Sequence, residues 1–389
     1  MSADYRIPIP RWIKDEADQQ PRPGRELPVD KLMLVIVIGL TLFGLAMVYS
    51  ASAILAERRH GSQFYFLARQ SAWVVIGLIG MAVALRIDYR FYNRPAVVLA
   101  LLTLSFGLLV AVFFFPLLND THRWIRFGQL SFQPSELGKV TLVVFLAYFL
   151  DRLSDELRSY SRTFVPAALV AGLMMAVVGV EPDLGTALLL GVIFIVVSFA
   201  AGVPWRYLAS LAIPAAPPLA YMLIFVPWRL QRLAAFLDPW KNQGGSGFQV
   251  TQSLIAIGSG GTSGLGFAQG KQKLFYLPAP HTDFIFAVIG EELGLIGTLI
   301  VTALFAALAW RGLRAARKAP DSFGRLLAVG LTMIIAAQAL FNLSVTLSLV
   351  PTKGIPLPFV SSGGSSLAFN LLAAGVLLNI SKHTGEDWT

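Results

Sequence analysis

The sequence is dominated by long apolar runs that alternate with short polar connections. About 20 consecutive apolar residues cross the hydrocarbon core of a bilayer. On that scale we predict an all-α, polytopic integral membrane protein with about ten transmembrane helices. The fourth is short, and its polar start, Gln133-Pro-Ser-Glu136, is expected to lie in protein rather than in lipid. The predicted spans are 32–50, 70–86, 96–116, 137–151, 163–180, 184–202, 205–226, 284–310, 326–350 and 366–381.

Composition excludes a soluble globular protein. Hydrophobic residues make up 56% of the chain and charged residues 14%, whereas soluble domains carry about 25% charged residues. The net charge is +9, but the cations are spread over short connections, so we expect no nucleic-acid partner. The chain has no cysteine, which excludes disulfides, thiolate catalysis and cysteine metal sites.

Lysine and arginine in the connections indicate the orientation, because cytoplasmic loops are enriched in both. The pattern predicts a cytoplasmic polar tail over 1–31, one membrane domain over 32–381 and a second cytoplasmic tail over 382–389. No cleavable signal peptide is expected, because residues 1–31 are polar and proline-rich. The inner connections hold Arg86, Arg90 and Arg94; Arg152, Arg158 and Arg162; and Arg311, Arg314, Arg317, Lys318 and Arg325.

Four predicted outer segments are rich in polar residues, namely 117–135, 181–183, 227–283 and 351–365. The third lies between the seventh and eighth spans and is far longer than the usual connection of about 4–6 residues. Its apolar run Leu254-Ile-Ala-Ile257 predicts a short surface or re-entrant helix, so we expect this loop to be ordered.

Asp283 lies at the outer mouth of the eighth span. A carboxylate there is costly unless it faces a cavity, which makes it a candidate functional group. It also fits a helix N-cap, a role that Thr282 could fill instead. His281 is expected to be a structural or hydrogen-bonding residue, because no second histidine lies nearby. Farther along the same span, Glu291 and Glu292 are most simply explained by a structural salt bridge.

Three further positions combine charge with the outer segments. Arg123 offers a planar fork for phosphate or carboxylate, and Trp124 beside it is typical of an interfacial anchor. Glu136 and Lys139 have the spacing of an intrahelical ion pair. Lys353 lies in a segment that is rich in proline and glycine, which predicts either a rigid ligand wall or a lysine that reaches toward the interface.

A polar stripe marks the ninth predicted span. Gln338, Asn342 and Thr346 recur every four residues, so one polar helix face is expected to point into the bundle.

Five motifs occur in one order across 32–381. They are Phe132-Gln-Pro-Ser-Glu136, Glu181-Pro-Asp-Leu-Gly-Thr186, Gly247-Phe-Gln-Val-Thr-Gln-Ser253, His281-Thr-Asp-Phe-Ile-Phe286 with Gly290-Glu-Glu-Leu-Gly294, and Gly363-Gly-Ser-Ser366. Taken together, they resemble the SEDS family (shape, elongation, division and sporulation proteins). Within it, Met47-Val-Tyr-Ser-Ala-Ser52 and Pro351-Thr-Lys-Gly354 are more similar to division-type members, and Ile355-Pro-Leu-Pro-Phe359 to elongation-type members.

The resemblance implies a peptidoglycan glycosyltransferase that polymerises lipid II at the outer face of the bacterial cytoplasmic membrane. It implies inversion at the donor sugar, departure of undecaprenyl pyrophosphate, and Asp283 as the base. It also implies a class B penicillin-binding protein and other division proteins as partners. The residues expected to bind substrate are Arg123, Trp124, Lys353, Arg229, Glu136 and His281.

The sequence leaves the class of activity and the cofactor open. A translocator of the same lipid would need a similar polar cavity, and a structural scaffold is a third class. No cofactor is certain, although departing pyrophosphate often uses a divalent cation. The family usually has a glutamate just before His281, whereas this chain has Pro278-Ala-Pro280, so we expect no metal ligand there.

Overall fold

The computed structural model describes residues 29–116, 121–128, 130–214, 216–217, 220, 232–233, 235–241, 245, 247–274 and 276–383. This part of the chain is almost entirely helical, as predicted, with one antiparallel hairpin of strands β1 (Ile125–Phe127) and β2 (Leu130–Phe132). The helices are α1 (Lys31–His60), α2 (Tyr65–Arg86), α3 (Pro95–Ala111), α4 (Pro134–Arg152), α5 (Val165–Val180), α6 (Leu184–Ala201), α7 (Trp205–Ser210), α8 (Phe248–Ser259), α9 (Ile285–Lys318), α10 (Ser322–Thr346) and α11 (Ser365–Lys382).

The described helices confirm a protein that crosses the membrane many times. Eight helical segments are long and apolar enough to span a bilayer: α1, α2, α3 with its following turn, α5 with its preceding turn, α6, α9, α10 and α11. The predicted fourth span is α4, which has 19 residues and a polar first turn. The seventh predicted span and both predicted tails lie partly outside the described residues, so a count of ten stays a prediction.

Helix α1 is longer than the sequence pattern predicted. It continues from the predicted end at residue 50 to His60, where Gly61 adopts a left-handed φ of 71° and its N–H bonds to the carbonyl of Glu57. The added turns contain Ala, Leu, Glu and Arg, which favour helix even without an apolar stripe. This extension carries Arg59 and His60 beyond the apolar run.

Helix α4 and helices α10 and α11 form the centre of the bundle, where most of their side chains are buried. Gln338, Asn342 and Thr346 on α10 are at most 1% exposed, which confirms the predicted inward polar face. Close packing of α2 on α11 depends on a small residue, because a Cβ on Gly375 would lie 2.5 Å from the carbonyl oxygen of Met81.

Helix α9 is broken at Gly294, whose φ of 65° and ψ of −162° lie outside the helical range. A Cβ there would lie 2.4 Å from the backbone nitrogen of Gly264, so only glycine fits. Residues 261–266 cross the break and bond to the main chain of residues 291–296. The large predicted outer loop is therefore ordered here, and the predicted short helix within it is α8.

Carboxylates on α9 hold the same loop in place. Glu292 forms a buried ion pair of 2.6 Å with Lys273 and accepts a hydrogen bond from Ser50. Glu291 accepts backbone N–H bonds from Lys271 and Gln272. The predicted salt bridge is thus confirmed for Glu292, while Glu291 binds main chain instead.

Candidate active site

The four outer segments predicted to carry polar chemistry contact one another at one end of the bundle. The hairpin region bonds to residues 181–183, and residues 281–283 pack against residues 354–362. At the opposite end, the side chains of Asp30 and Arg311 form a buried ion pair of 2.7 Å. Asp283 and the described residues among those expected to bind substrate therefore lie at one end of the membrane domain.

Asp283 lies in the turn that precedes α9. Phe284 occupies the N-cap position of that helix and no side chain caps it, so the capping roles considered for Asp283 and Thr282 are wrong. The Asp283 side chain faces Gly354, since a Cβ on that glycine would lie 2.9 Å from Oδ2. Burial raises the pKa of Asp283 to about 6, against the opposing influence of Arg123 and Arg232. At neutral pH the group is an ionised carboxylate of raised basicity.

The proline- and glycine-rich loop over residues 351–365 is linked by hydrogen bonds to the turn that carries Asp283. Asn342 Nδ2 donates to the main-chain oxygens of both Asp283 and Ile355, at 2.8 Å each. Ser361 Oγ donates to the carbonyl of Thr282 at 2.6 Å. These bonds fix the Asp283 backbone to the loop that contains Lys353, whose side chain is half-buried.

Arg123 is held at the end of α5. Its Nε donates to the carbonyl of Glu181 at 3.1 Å, and its Nη2 donates to the carbonyl of Pro182. Cations commonly bind the free carbonyls at a helix C-terminus. The guanidinium lowers the pKa of both Asp283 and Glu181, so it lies within electrostatic reach of both carboxyl groups.

Glu181 is a functional candidate that the sequence pattern did not single out by itself. It is fully buried, and neither carboxyl oxygen has a hydrogen-bond partner among the described residues. Burial, together with the charge of Asp183, raises the pKa of Glu181 to about 8, and Arg123 opposes this rise. At neutral pH this group is a neutral carboxylic acid and hence a potential proton donor.

Asp183 joins α6 to the start of α4. Its carboxylate accepts hydrogen bonds from the Thr186 backbone N–H at 3.1 Å and from the Thr186 hydroxyl at 2.8 Å, so it is the N-cap of α6. It also accepts a bond of 3.0 Å from Gln133 Nε2. The Gln-Pro-Ser-Glu start of the predicted fourth span therefore lies in protein, as predicted.

Glu136 and Lys139 form the predicted ion pair, with 2.7 Å between Oε2 and Nζ. Both side chains are at most 4% exposed. Lys139 Nζ also donates to Gln338 Oε1, and Gln338 Nε2 donates to the carbonyl of Pro356. Through Gln338, the pair is thus linked to the loop beside Asp283. Direct contact of Glu136 with substrate stays a prediction.

Trp124 and His281 line a cavity of about 430 Å³ on this end of the bundle. Asp283 does not line the cavity, although it directly follows His281 and Thr282, which do.

Arg229, which was also expected to bind substrate, lies outside the described residues. Within the part of the chain that the structure describes, no three histidine, aspartate or glutamate side chains come together to hold a metal ion.

A membrane-spanning helical bundle with carboxylates and guanidinium groups gathered at one end defines a polytopic membrane protein with a polar site. The sequence-family model of the FtsW/RodA/SpoVE cell cycle proteins matches residues 30–386 of this chain. The chain therefore belongs to this family. The resemblance to SEDS proteins is therefore confirmed.

Two curated relatives align with this chain over nearly their whole length. The chain is 44% identical over 356 residues to a probable peptidoglycan glycosyltransferase FtsW of Geobacter sp. (strain M18), covering 90% of this chain and 96% of the relative. It is 40% identical over 358 residues to stage V sporulation protein E of Bacillus subtilis (strain 168), covering 91% and 97%.

Two solved structures have the same fold. A chain of a peptidoglycan synthase complex that coordinates polymerization and crosslinking superposes with a TM-score of 0.75 at 29% identity, covering 91% of this chain and 97% of that one. The rod shape determining protein RodA of Thermus thermophilus superposes with a TM-score of 0.67 at 25% identity, covering 92% and 98%.

Proposed function

We propose that this chain is a peptidoglycan glycosyltransferase of cell division, which polymerises lipid II into glycan strands. The observation that carries the proposal is the environment of Asp283, a carboxylate fixed by Asn342 and the Gly354 loop within reach of two guanidinium groups. The relatives named FtsW, at up to 44% identity, support the enzyme class and the division role. The likeness to a peptidoglycan synthase complex supports the substrate class.

The chemistry follows from the charges around that carboxylate. Asp283 accepts the proton of the acceptor sugar hydroxyl as that oxygen bonds to the anomeric carbon of the donor. The bond from that carbon to the diphosphate breaks on the opposite face, and its electron pair leaves with undecaprenyl pyrophosphate. The configuration is therefore inverted. The raised pKa of Asp283 suits a base near neutral pH, and positive charge from Arg123, Arg232 and Lys353 favours the departing anion.

Glu181 complements the base in this scheme. As a buried neutral acid beside Arg123, it adds no negative charge to a site that must bind an anion. A second ionised carboxylate there would repel the substrate phosphates.

A lipid II translocator is the second candidate function. A translocator requires polar binding groups along a path to both faces. Here the residues of the candidate site lie at one end, while at the other end the carboxylate of Asp30 is bound by Arg311 and by the Met33 N–H. This asymmetry favours the enzyme.

Purified protein in vesicles with lipid II tests the two functions against each other. The enzyme produces glycan chains on the side that carries Asp283. Equilibration of lipid II between the two leaflets without chain formation would identify a translocator and contradict the proposal.

Orientation, domains and partners belong to the same proposal. Both termini lie in the cytoplasm, residues 32–381 form one membrane domain between two tails, and the Asp283 end faces outward, as the cationic inner connections favour. The partners are a class B penicillin-binding protein, which crosslinks the new strands, and other division proteins. Labelling of a cysteine introduced at Gly258 by a membrane-impermeant thiol reagent in intact cells tests the orientation.

A further inference from the structure

The cavity next to the Asp283 turn is built from five separate segments. They are the end of α1, the start of α2, the hairpin, the turn before α9 and the loop before α11. The volume is about 430 Å³, which holds a group of several heavy atoms. His281 and Thr282 line this cavity, whereas Asp283 faces Gly354, so the cavity is a neighbouring compartment rather than the base's own site.

The lining of this cavity is cationic. Arg59, Arg69 and Arg126 line it, and none of the lining residues is acidic. Arg69 Nη2 donates to Ser131 Oγ at 2.7 Å. Arg59 and Arg126 are exposed, and neither makes an ion pair or side-chain hydrogen bond with any described residue. Three like charges therefore converge here, and no described residue supplies a counter-ion.

The pKa of His281, in the wall of the cavity, is affected by this charge. Burial, together with the positive charges of Arg59 and Arg69, lowers the pKa of His281 to about 4. The imidazole is therefore neutral, and the field of the cavity comes from the guanidinium groups.

Two buried polar atoms of the lining residues lack partners. Trp73 Nε1 and His281 Nδ1 are both buried and make no hydrogen bond within the described ranges. A Cβ on Gly364 would lie 3.3 Å from Trp73 Nε1, so the glycine keeps side-chain atoms away from this donor. Buried donors are nearly always bonded in folded proteins. The unsatisfied indole N–H therefore points to an acceptor that a ligand supplies.

A ligand that suits this cavity carries several acceptor oxygens and more than one negative charge. Guanidinium forks bind phosphate oxygens in pairs, which makes arginine well suited to phosphate groups. Flat aromatic walls from Tyr65 and Trp124 accommodate an apolar or sugar face beside the charge. We propose that this cavity binds the diphosphate group of a polyprenyl-diphosphate saccharide.

This assignment rests on the proposed function and deepens it. Joining two lipid-linked saccharides brings two diphosphate groups to the protein. Arg123, which the sequence had suggested for phosphate, is already bonded to the carbonyls of Glu181 and Pro182. The cavity supplies a second set of cations beside the 281–283 turn. Asp283 does not line this cavity.

Binding is measured on full-length wild-type protein in nanodiscs, with undecaprenyl diphosphate as the probe and the change in total tryptophan fluorescence, to which Trp73 and Trp124 contribute, as the signal. We expect the Arg59→Gln, Arg126→Gln double variant to bind this probe about tenfold more weakly or worse. The matched control is Arg94→Gln with Arg162→Gln, which removes two arginines from predicted inner connections and leaves the affinity within about twofold. Equal melting temperatures establish that all three proteins are folded.

Unchanged affinity in the cavity variant would overturn the proposal. So would equally tight binding of phosphatidylglycerol that is lost in parallel, since the cavity would then be a general site for anionic headgroups. The test is independent of the base, because Asp283→Asn is expected to leave the affinity for undecaprenyl diphosphate within about twofold. If wild-type protein binds the probe through these arginines but forms no glycan, the proposed function fails and the cavity assignment stands.

Discussion

Arg123 donates hydrogen bonds to the main chain at Glu181, while the carboxyl group of Glu181 itself accepts none among the described residues. The two side chains are neighbours in space but come from segments 58 residues apart. The guanidinium lies within electrostatic reach of Asp283 as well. One cation thus lowers the pKa both of a carboxylate that is ionised at pH 7 and of a carboxyl group that is not.

The activity should depend on pH at both ends of the neutral range. Asp283 acts as a base only when ionised, so the rate falls as pH drops through about 6, the raised pKa of this group. Glu181 loses its proton as pH rises through about 8 and adds a negative charge beside the phosphate site, so the rate falls there as well. A rate profile of glycan formation from pH 5 to pH 9, read in roughly half-unit steps, measures both limbs.

Glu181→Gln separates the two limbs. Glutamine mimics the protonated acid, so this variant should keep near-normal activity at pH 7 and lose the alkaline limb, while the acid limb is unchanged. Glu181→Asp is the control that keeps the ionisable group. Retention of the alkaline limb in Glu181→Gln would show that another group titrates there.

Gly354→Ala should impair catalysis without unfolding the protein. The new Cβ would lie 2.9 Å from Asp283 Oδ2, which is closer than carbon and oxygen normally approach, so the carboxylate must move. A displacement of this size in a catalytic group costs up to about 100-fold in rate. The control is Gly258→Ala in α8, where a Cβ meets no atom within 4 Å. Equal polymerisation rates in the two variants would contradict the placement of Asp283 against residue 354.

Lys273→Met should destabilise the protein strongly. Lys273 and Glu292 form an ion pair that is at most 4% exposed on either side chain, so the substitution leaves a buried carboxylate without its cation. Breaking a buried pair in this way costs about 3–5 kcal/mol. Lys271→Met is the matched control, because Lys271 is exposed and uses its backbone N–H to bond Glu291. Thermal unfolding in detergent compares the two variants, and similar melting temperatures would argue against a structural role for this pair.

Much of the membrane domain could be predicted because long apolar runs in the sequence mark the membrane-spanning helices. Most span limits agree with the helices within a few residues, and the helix in the long outer loop was signalled by residues 254–257. The Glu136–Lys139 pair followed from helical spacing alone. These features depend on local periodicity, which a single sequence carries.

Features that depend on contacts between distant segments could not be read in the same way. The break at Gly294 exists because residues 261–266 pack against it, and no local pattern marks this packing. The hairpin at residues 125–132 was not predicted. The cavity draws its cations from α1, α2 and the hairpin, although Arg59 and Arg69 do stand out as basic residues near a predicted outer connection. Glu181 was visible in a motif, but its burial was not.

The central claim is that Asp283 is the base of a lipid II polymerase, and the rate of glycan formation by purified Asp283→Asn tests it most directly. Asparagine preserves the size of the side chain and removes its basicity. The account predicts a rate at least about 100-fold below wild type, the usual contribution of a general base, with an unchanged melting temperature. Near-normal glycan formation by Asp283→Asn would contradict the assignment.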